Sequence, residues 1–213
     1  VDSNLIGFFN ILEIVKKLKK KIFIFASSSS VYGDSKKLSF KESDNTDNPL
    51  SFYAATKKSN EVMAYSYSKL FNIKTIGIRF FSVYGDYGRP DMAIYTFFKN
   101  ITDQKDILLR DRGNHLRDYT FIDDAIKYLE CLTRQRNINK IKNNFEIFNI
   151  GNSSPLSTKK LLKLISNIVN KKPKKIIYQK SKGESFKTCS NNSKIQNFTK
   201  IKNRTNIKSG LNY

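Results

Sequence analysis

Two side chains one helical turn apart could carry acid–base chemistry. Tyr53 and Lys57 stand four residues apart in Tyr53-Ala-Ala-Thr-Lys57, so on a helix the phenol and the ammonium share one face. A cation beside a phenol favours its anion, and a phenolate is a general base able to take a hydroxyl proton. The spacing also describes a solvated surface pair, so its setting matters. Upstream, Ser27-Ser28-Ser29-Ser30-Val31-Tyr32-Gly33 follows the apolar run Ile22 to Ala26. Hydroxyls at such a strand end can share a proton with a tyrosine, and equally they make an ordinary polar turn. Downstream, Arg79-Phe80-Phe81-Ser82-Val83-Tyr84-Gly85 leads to Arg89-Pro90-Asp91-Met92. The fork of Arg89 suits a carboxylate or phosphate, and equally a surface position. His115, the one histidine, reads as a loop or surface residue. Cys131 has apolar neighbours and reads as core. With Cys189 it makes neither a disulfide framework nor a metal site.

Elements must hold these groups in place. Apolar spacing at Leu5, Phe8, Phe9, Leu12 and Val15 predicts a helix over residues 4–20. The unalternating run 22–27 predicts a strand covered on both faces. A polar loop follows to Pro49. A helix is predicted over 53–71, with Ala54, Ala55, Val62, Met63 and Leu70 available for packing, then a buried strand over 75–81. Gly85, Gly88 and Pro90 break the chain. Further on come a helix over 91–101, a strand at 107–109, a helix over 123–133, a strand at 145–150, a helix to Val169 capped by Ser157, and a strand at 176–178. Strands alternating with helices argue for an α/β fold with a parallel sheet.

The chain has 213 residues and a formal net charge of +21. That length suits one domain with a smaller lobe. The basic balance is dispersed lysine, without a nucleic-acid recognition motif, so no nucleic-acid partner is expected. No apolar run nears the ~18 residues of a membrane span, and no signal peptide is recognisable, so a cytoplasmic, reduced setting is expected.

Six blocks in order, SNLIGFFNILE, FASSSSVYG, SFYAATKKSNEVMAYSYS, RFFSVYGDYGRPDMA, LRDYTFIDDA and FNIGNSSPLS, resemble the NAD-dependent epimerase/dehydratase family of extended short-chain dehydrogenases, over nearly the whole chain. The resemblance implies a partial Rossmann-like sheet with a small C-terminal α/β substrate lobe. Residues 1–90 would be the later part of the cofactor domain, and 91–213 mostly the lobe, with some segments returning to the sheet. It implies Tyr53, Lys57 and Ser28 as catalytic, and Ser3, Asn4 and Phe81, with Tyr53 and Lys57, as NAD contacts. Ser28, Ser29, Ser82, Arg89 and Arg117 would be substrate contacts, with no metal. Ser29 and Ser30 replace the acidic pair of related dehydratases, which favours epimerisation. Ser82 and Arg89 match the carboxylate hold of uronate-specific members. The implied reaction is 4-epimerisation of a UDP-sugar, UDP-glucuronate to UDP-galacturonate, by a homodimer. A UDP-hexose epimerase, a dehydratase, and an inactive fragment or basic binding module are the alternatives. The family's Gly-Asp near the tail is Gly183-Glu184 here. Its opening strand, GxxGxxG turn and helix do not occur in this chain, which begins at Val1; about three ~30-residue βαβ units are expected to be absent. The C-terminal end also reads as cut.

Overall fold

The structure, a computed structural model, describes all residues except 19–21, 181–182, 184, 203 and 213. The chain opens on a wide π-type turn, Asp2–Ile6, and the first helix starts only at Gly7: α1 is Gly7–Lys17. Its predicted apolar face is fully buried at Leu12 alone; the predicted residues 19 and 20 lie outside the described residues. β1 (Ile22–Ser28) runs into a 3-10 turn, Ser29–Tyr32. α2 (Phe52–Phe71) begins under Ser51, whose Oγ accepts from the Ala54 amide at 3.1 Å. Then come β2 (Lys74–Phe80), β3 (Val83–Tyr84), α3 (Ala93–Thr102), β4 (Ile107–Arg110), β5 (Leu116–Arg117), β6 (Thr120–Phe121), α4 (Ile122–Thr133) and α5 (Gln135–Ile138). β7 (Phe145–Ile150), β8 (Leu156–Ser157), α6 (Thr158–Val169), β9 (Ile176–Gln179), α7 (Ser193–Thr199) and α8 (Ile207–Leu211) complete the order.

β1, β2 and β7 form one parallel sheet in that order. Central β2 is buried without interruption from Thr75 to Arg79, as its unalternating sequence predicts. β1 departs from the expectation. Ile22 to Ile24 are half-buried and Ala26 is exposed, because among the described residues β1 pairs with β2 alone. α2 departs too. Its buried residues are Ala54, Thr56, Asn60, Glu61, Ala64 and Ser68, while Val62 and Leu70 stay exposed. Ala54 packs as expected and Met63 is half-buried against Leu12 and Phe25, but polar Thr56, Asn60, Glu61 and Ser68 also face the core, while Val62 and Leu70 face out.

Two larger cores result. One joins Ile76 and Ile78 of β2 to Ala125, Tyr128 and Leu132 of α4, Phe148 of β7 and Ile195 of α7. The other joins Phe97 and Ile101 of α3 to Ile107 and Leu109 of β4 and Leu161, Leu162 and Ile165 of α6. Three two-stranded pairs surround the second core: β3 with β6, β4 with β9 and β5 with β8. Ser157 caps α6 as expected, accepting from the Lys160 amide at 3.2 Å. Cys131 is buried, as expected, and Cys189 is buried too. Among the described residues no helix is long and apolar enough to cross a membrane.

Candidate active site

Parallel strands point their carboxyl ends the same way, and loops there build sites. β1 ends at Ser28, whose extended backbone caps the 3-10 turn. Its Oγ accepts from the Ser30 amide at 3.2 Å and from Ser30 Oγ at 2.9 Å. Gly33 closes that turn at φ 61°, where a β-carbon would lie 2.0 Å from the Asn48 carbonyl oxygen. The turn can therefore end only in glycine.

α2 brings Tyr53 and Lys57 to the same strand end. Lys57 Nζ donates to the Ala26 carbonyl at 3.1 Å and lies 5.9 Å from the Tyr53 ring centroid. Burial lowers the Lys57 ammonium below the ordinary lysine range. Tyr53 is 46% exposed, so its phenol is open to a ligand. Beside them, a groove of about 390 Å³ is lined by Ser3, Asn4, Lys57 and Asn60, with apolar α1 residues. Asn4 is tied there at two atoms: its Nδ2 donates to Thr56 Oγ1 at 3.1 Å, and its carbonyl accepts from Asn60 Nδ2 at 2.6 Å.

Ser29, Ser82 and Arg117 meet in a cleft of about 240 Å³, with Ser51 and Ala54 of the α2 start and Gly183 on its wall. Ser82 and Arg117 also line a larger cleft of about 550 Å³, with Arg110, His115 and Tyr119. Arg117 Nη1 donates to the Leu116 carbonyl at 3.1 Å, and Nη2 meets His115 Nδ1 at 3.2 Å. His115 is a loop residue as expected, but buried (6% exposed) rather than superficial. Its Nε2 is 2.9 Å from the Asp111 carboxylate, and the ring packs edge-on to Phe186.

Two predicted residues fall elsewhere. Arg89 lines a separate cleft of about 380 Å³ and grips Asp91 through both fork arms, at 3.0 and 2.5 Å. Those bonds hold its guanidinium more basic than usual. Phe81 is 1% exposed, inside a small cluster with Val31, Tyr32 and Phe40. Glu184 lies outside the described residues.

Other buried polar residues carry no mark in the sequence. Asp118 takes the amides of Asn152, Ser153 and Ser190 and the Ser190 hydroxyl. Arg79 and Glu61 form a buried two-bond pair. Asp118 stands next to Arg117 in the chain, and Glu61 one turn after Lys57, but nothing in their spacing announced a partner.

The sequence model of the NAD dependent epimerase/dehydratase family matches residues 1–151. The chain belongs to this family. Protein CapI of Staphylococcus aureus is 39% identical over all of the chain and 67% of its own length. UDP-glucuronate 4-epimerase 5 of Arabidopsis thaliana is 40% identical over 83% of the chain and 43% of its own length. The crystal structure of UDP-glucuronic acid 4-epimerase from Bacillus cereus, in complex with UDP-glucuronic acid and NAD, superposes with a TM-score of 0.90 at 31% identity. That match covers 99% of this chain and 65% of the other. The chain thus spans about two thirds of these bacterial proteins and under half of the plant one. The α/β fold with its parallel sheet, expected from the alternation of elements, is that of the epimerase family.

Proposed function

We propose that the protein is an NAD-dependent nucleotide-sugar 4-epimerase that interconverts UDP-glucuronate and UDP-galacturonate. The observation that carries this reading is the Lys57 ammonium on the Ala26 carbonyl, which sets the Tyr53–Lys57 face against the strand end where Ser28 begins the serine turn. Relatives named as UDP-glucuronate 4-epimerases support the substrate.

The residues of the α1 groove suit the nicotinamide-ribose end of NAD: an ammonium, the exposed Ser3 and a fixed Asn4 turn, with the exposed Tyr53 phenol one turn from Lys57. Phe81, buried with Val31, Tyr32 and Phe40, serves as packing only. No GxxGxxG stands in the 213 residues to cradle the pyrophosphate. Bound there, NAD would supply the hydride acceptor and donor that epimerisation at C4 of the sugar requires. Tyr53 takes the proton of the 4-hydroxyl, with Lys57 supplying positive charge beside it, and Ser28 bridges that hydroxyl and Tyr53. Ser29 and Ser82 line the sugar cleft, and Arg117 meets the diphosphate charge. Ser82 meets the carboxylate in that cleft, and Arg89 completes the hold once it leaves Asp91. A 4-keto uronate is a β-keto acid, and a held carboxylate resists loss of CO2. We divide the chain near residue 90. The cofactor side is 1–90 with the returning α4, β7 and α7, and the remainder is the substrate lobe. A second copy docks on the apolar residues that α1 and α2 leave outside, Phe9, Ile14, Val62 and Tyr65; a monomer in sedimentation equilibrium would remove this homodimer.

A UDP-hexose 4-epimerase is the second reading, and the Asp91 hold on Arg89 favours it, since a carboxylate substrate must displace Asp91. Assay of the full-length protein at saturating NAD+ with each UDP-sugar, products read by NMR, separates the two. UDP-galacturonate should form from UDP-glucuronate. Arg89→Ala should lower that turnover roughly tenfold or more beyond its effect on UDP-glucose, and release some UDP-pentose. Equal losses on both sugars, or turnover of UDP-glucose alone, would decide for the hexose enzyme.

A further inference from the structure

A polar row crosses the carboxyl edge of the parallel sheet. The strand register sets Ser27 of β1 beside Arg79 of β2, and Arg79 beside Asn149 of β7. All three are buried. Glu61 comes down on the row from α2. Its Oε1 accepts from Ser27 Oγ at 2.6 Å and from Arg79 Nε at 2.9 Å, and its Oε2 accepts from Arg79 Nη2 at 2.8 Å. From the other side Tyr32 donates to Asn149 Oδ1 at 2.7 Å, and its ring lies 4.8 Å from the Arg79 guanidinium. The third arm of Arg79 donates to the Glu42 carbonyl at 3.2 Å. None of these residues lines the clefts described above.

Stability does not account for such a row, because a buried ion pair contributes little over an apolar pair of the same size. What the row fixes is where α2 lies along β1. Glu61 follows Lys57 by one turn on the same face. Ser27 sits between Ala26, whose carbonyl takes the Lys57 ammonium, and Ser28. A slip of α2 by one residue, about 1.5 Å, would carry Lys57 out of hydrogen-bond range of Ala26.

We propose that Glu61 and Arg79 are positioning residues: their pairing, joined by Ser27, sets the register of α2 on β1 and so places Lys57 on the Ala26 carbonyl beside Ser28. Its catalytic meaning rests on the Tyr53–Lys57 reading above; its geometry does not.

The test reads the Lys57 amine itself. Lysines of the purified protein are reductively methylated with 13C-formaldehyde and titrated by NMR, and Lys57→Arg identifies the signal. In the parent protein Lys57 should titrate below the ordinary lysine value, since burial lowers it. Glu61→Gln together with Arg79→Gln removes both members of the pair, so the net charge near Lys57 is unchanged and only its placement is tested. The Lys57 signal should move up toward about 10.4, and kcat should fall about a hundredfold with KM nearly unchanged, as expected for a misplaced group. Leu132→Ala, which opens a cavity on the other face of the sheet, should lose stability without moving the signal. If the double variant does not fold, Ser27→Ala deletes one bond, leaves the charges in place, and should give a smaller shift in the same direction. A Lys57 signal unmoved in whichever of these variants folds, or one already ordinary in the parent, overturns the inference. Normal turnover in Tyr53→Phe and Lys57→Met overturns the catalytic reading instead and leaves the titration result standing.

Discussion

Tyr53 and Lys57 share one face of α2 in unequal surroundings. Lys57 is half-buried and donates to a backbone carbonyl, whereas Tyr53 is exposed. If Tyr53 is the proton acceptor, Tyr53→Phe keeps the ring and removes the chemistry. Loss of a general base costs ~10²–10⁴-fold in rate, and initial-rate assay of Tyr53→Phe and Lys57→Met should show losses of that order. Near-normal rates in both would end the assignment. Tyr32 offers a different test. Burial pushes its hydroxyl up to about 12, and the Arg79 guanidinium beside its ring only partly offsets this. An unfolded tyrosine ionises near 10, so the folded chain keeps a proton that the unfolded chain gives up. This contribution is complete below about pH 10 and is lost as pH climbs through 12. Urea unfolding from about pH 9 to 11.5 should show stability falling, and Tyr32→Phe should flatten the fall by on the order of 2 kcal/mol. An unaltered slope would mean that Tyr32 ionises in the folded chain as it does in the unfolded one.

At the scale of elements, the serine turn is what a strand end needs to become a site. It reverses the chain between β1 and the polar loop, and Gly33 makes the reversal sterically feasible. Gly33→Ala should therefore destabilise by more than about 1 kcal/mol, since the added carbon meets the Asn48 carbonyl and the backbone is left-handed. Chemical denaturation measures it, and wild-type stability would show that the turn relaxes. α2 shows what an element's sequence conceals. Its apolar residues are legible, and so is its length. Which side faces the sheet is only partly legible: Ala54 reads as a packing residue, but Glu61 and Ser68 look like a solvent face until Arg79 and Ser27 are seen to meet Glu61.

For the whole molecule, the Tyr53 and Lys57 face is present while a glycine-rich pyrophosphate turn is not among the 213 residues. A dinucleotide held at one end only loses the anion contacts that helix N-termini supply. The 213-residue chain alone should thus bind NAD+ weakly, and calorimetric titration giving low-micromolar affinity would refute this. The sequence by itself determined the class of fold, because strand and helix periods are local properties. It also determined the candidate pair on α2, because four residues are one helical turn. Even the capping Ser157 was legible, since a cap speaks to its own helix; the Ser51 cap of α2 was not. Tertiary structure alone decided the rest. Ser29, Ser82 and Arg117 come from three segments and share a cleft only once the chain has folded. Arg89 is drawn to Asp91, two residues on, and so stands apart from that cleft. His115 is buried by residues as distant as Phe186. The row Ser27, Arg79 and Asn149 exists only through strand register. Each is a contact between residues far apart in the chain or a choice among competing partners, and neither leaves a period in the sequence.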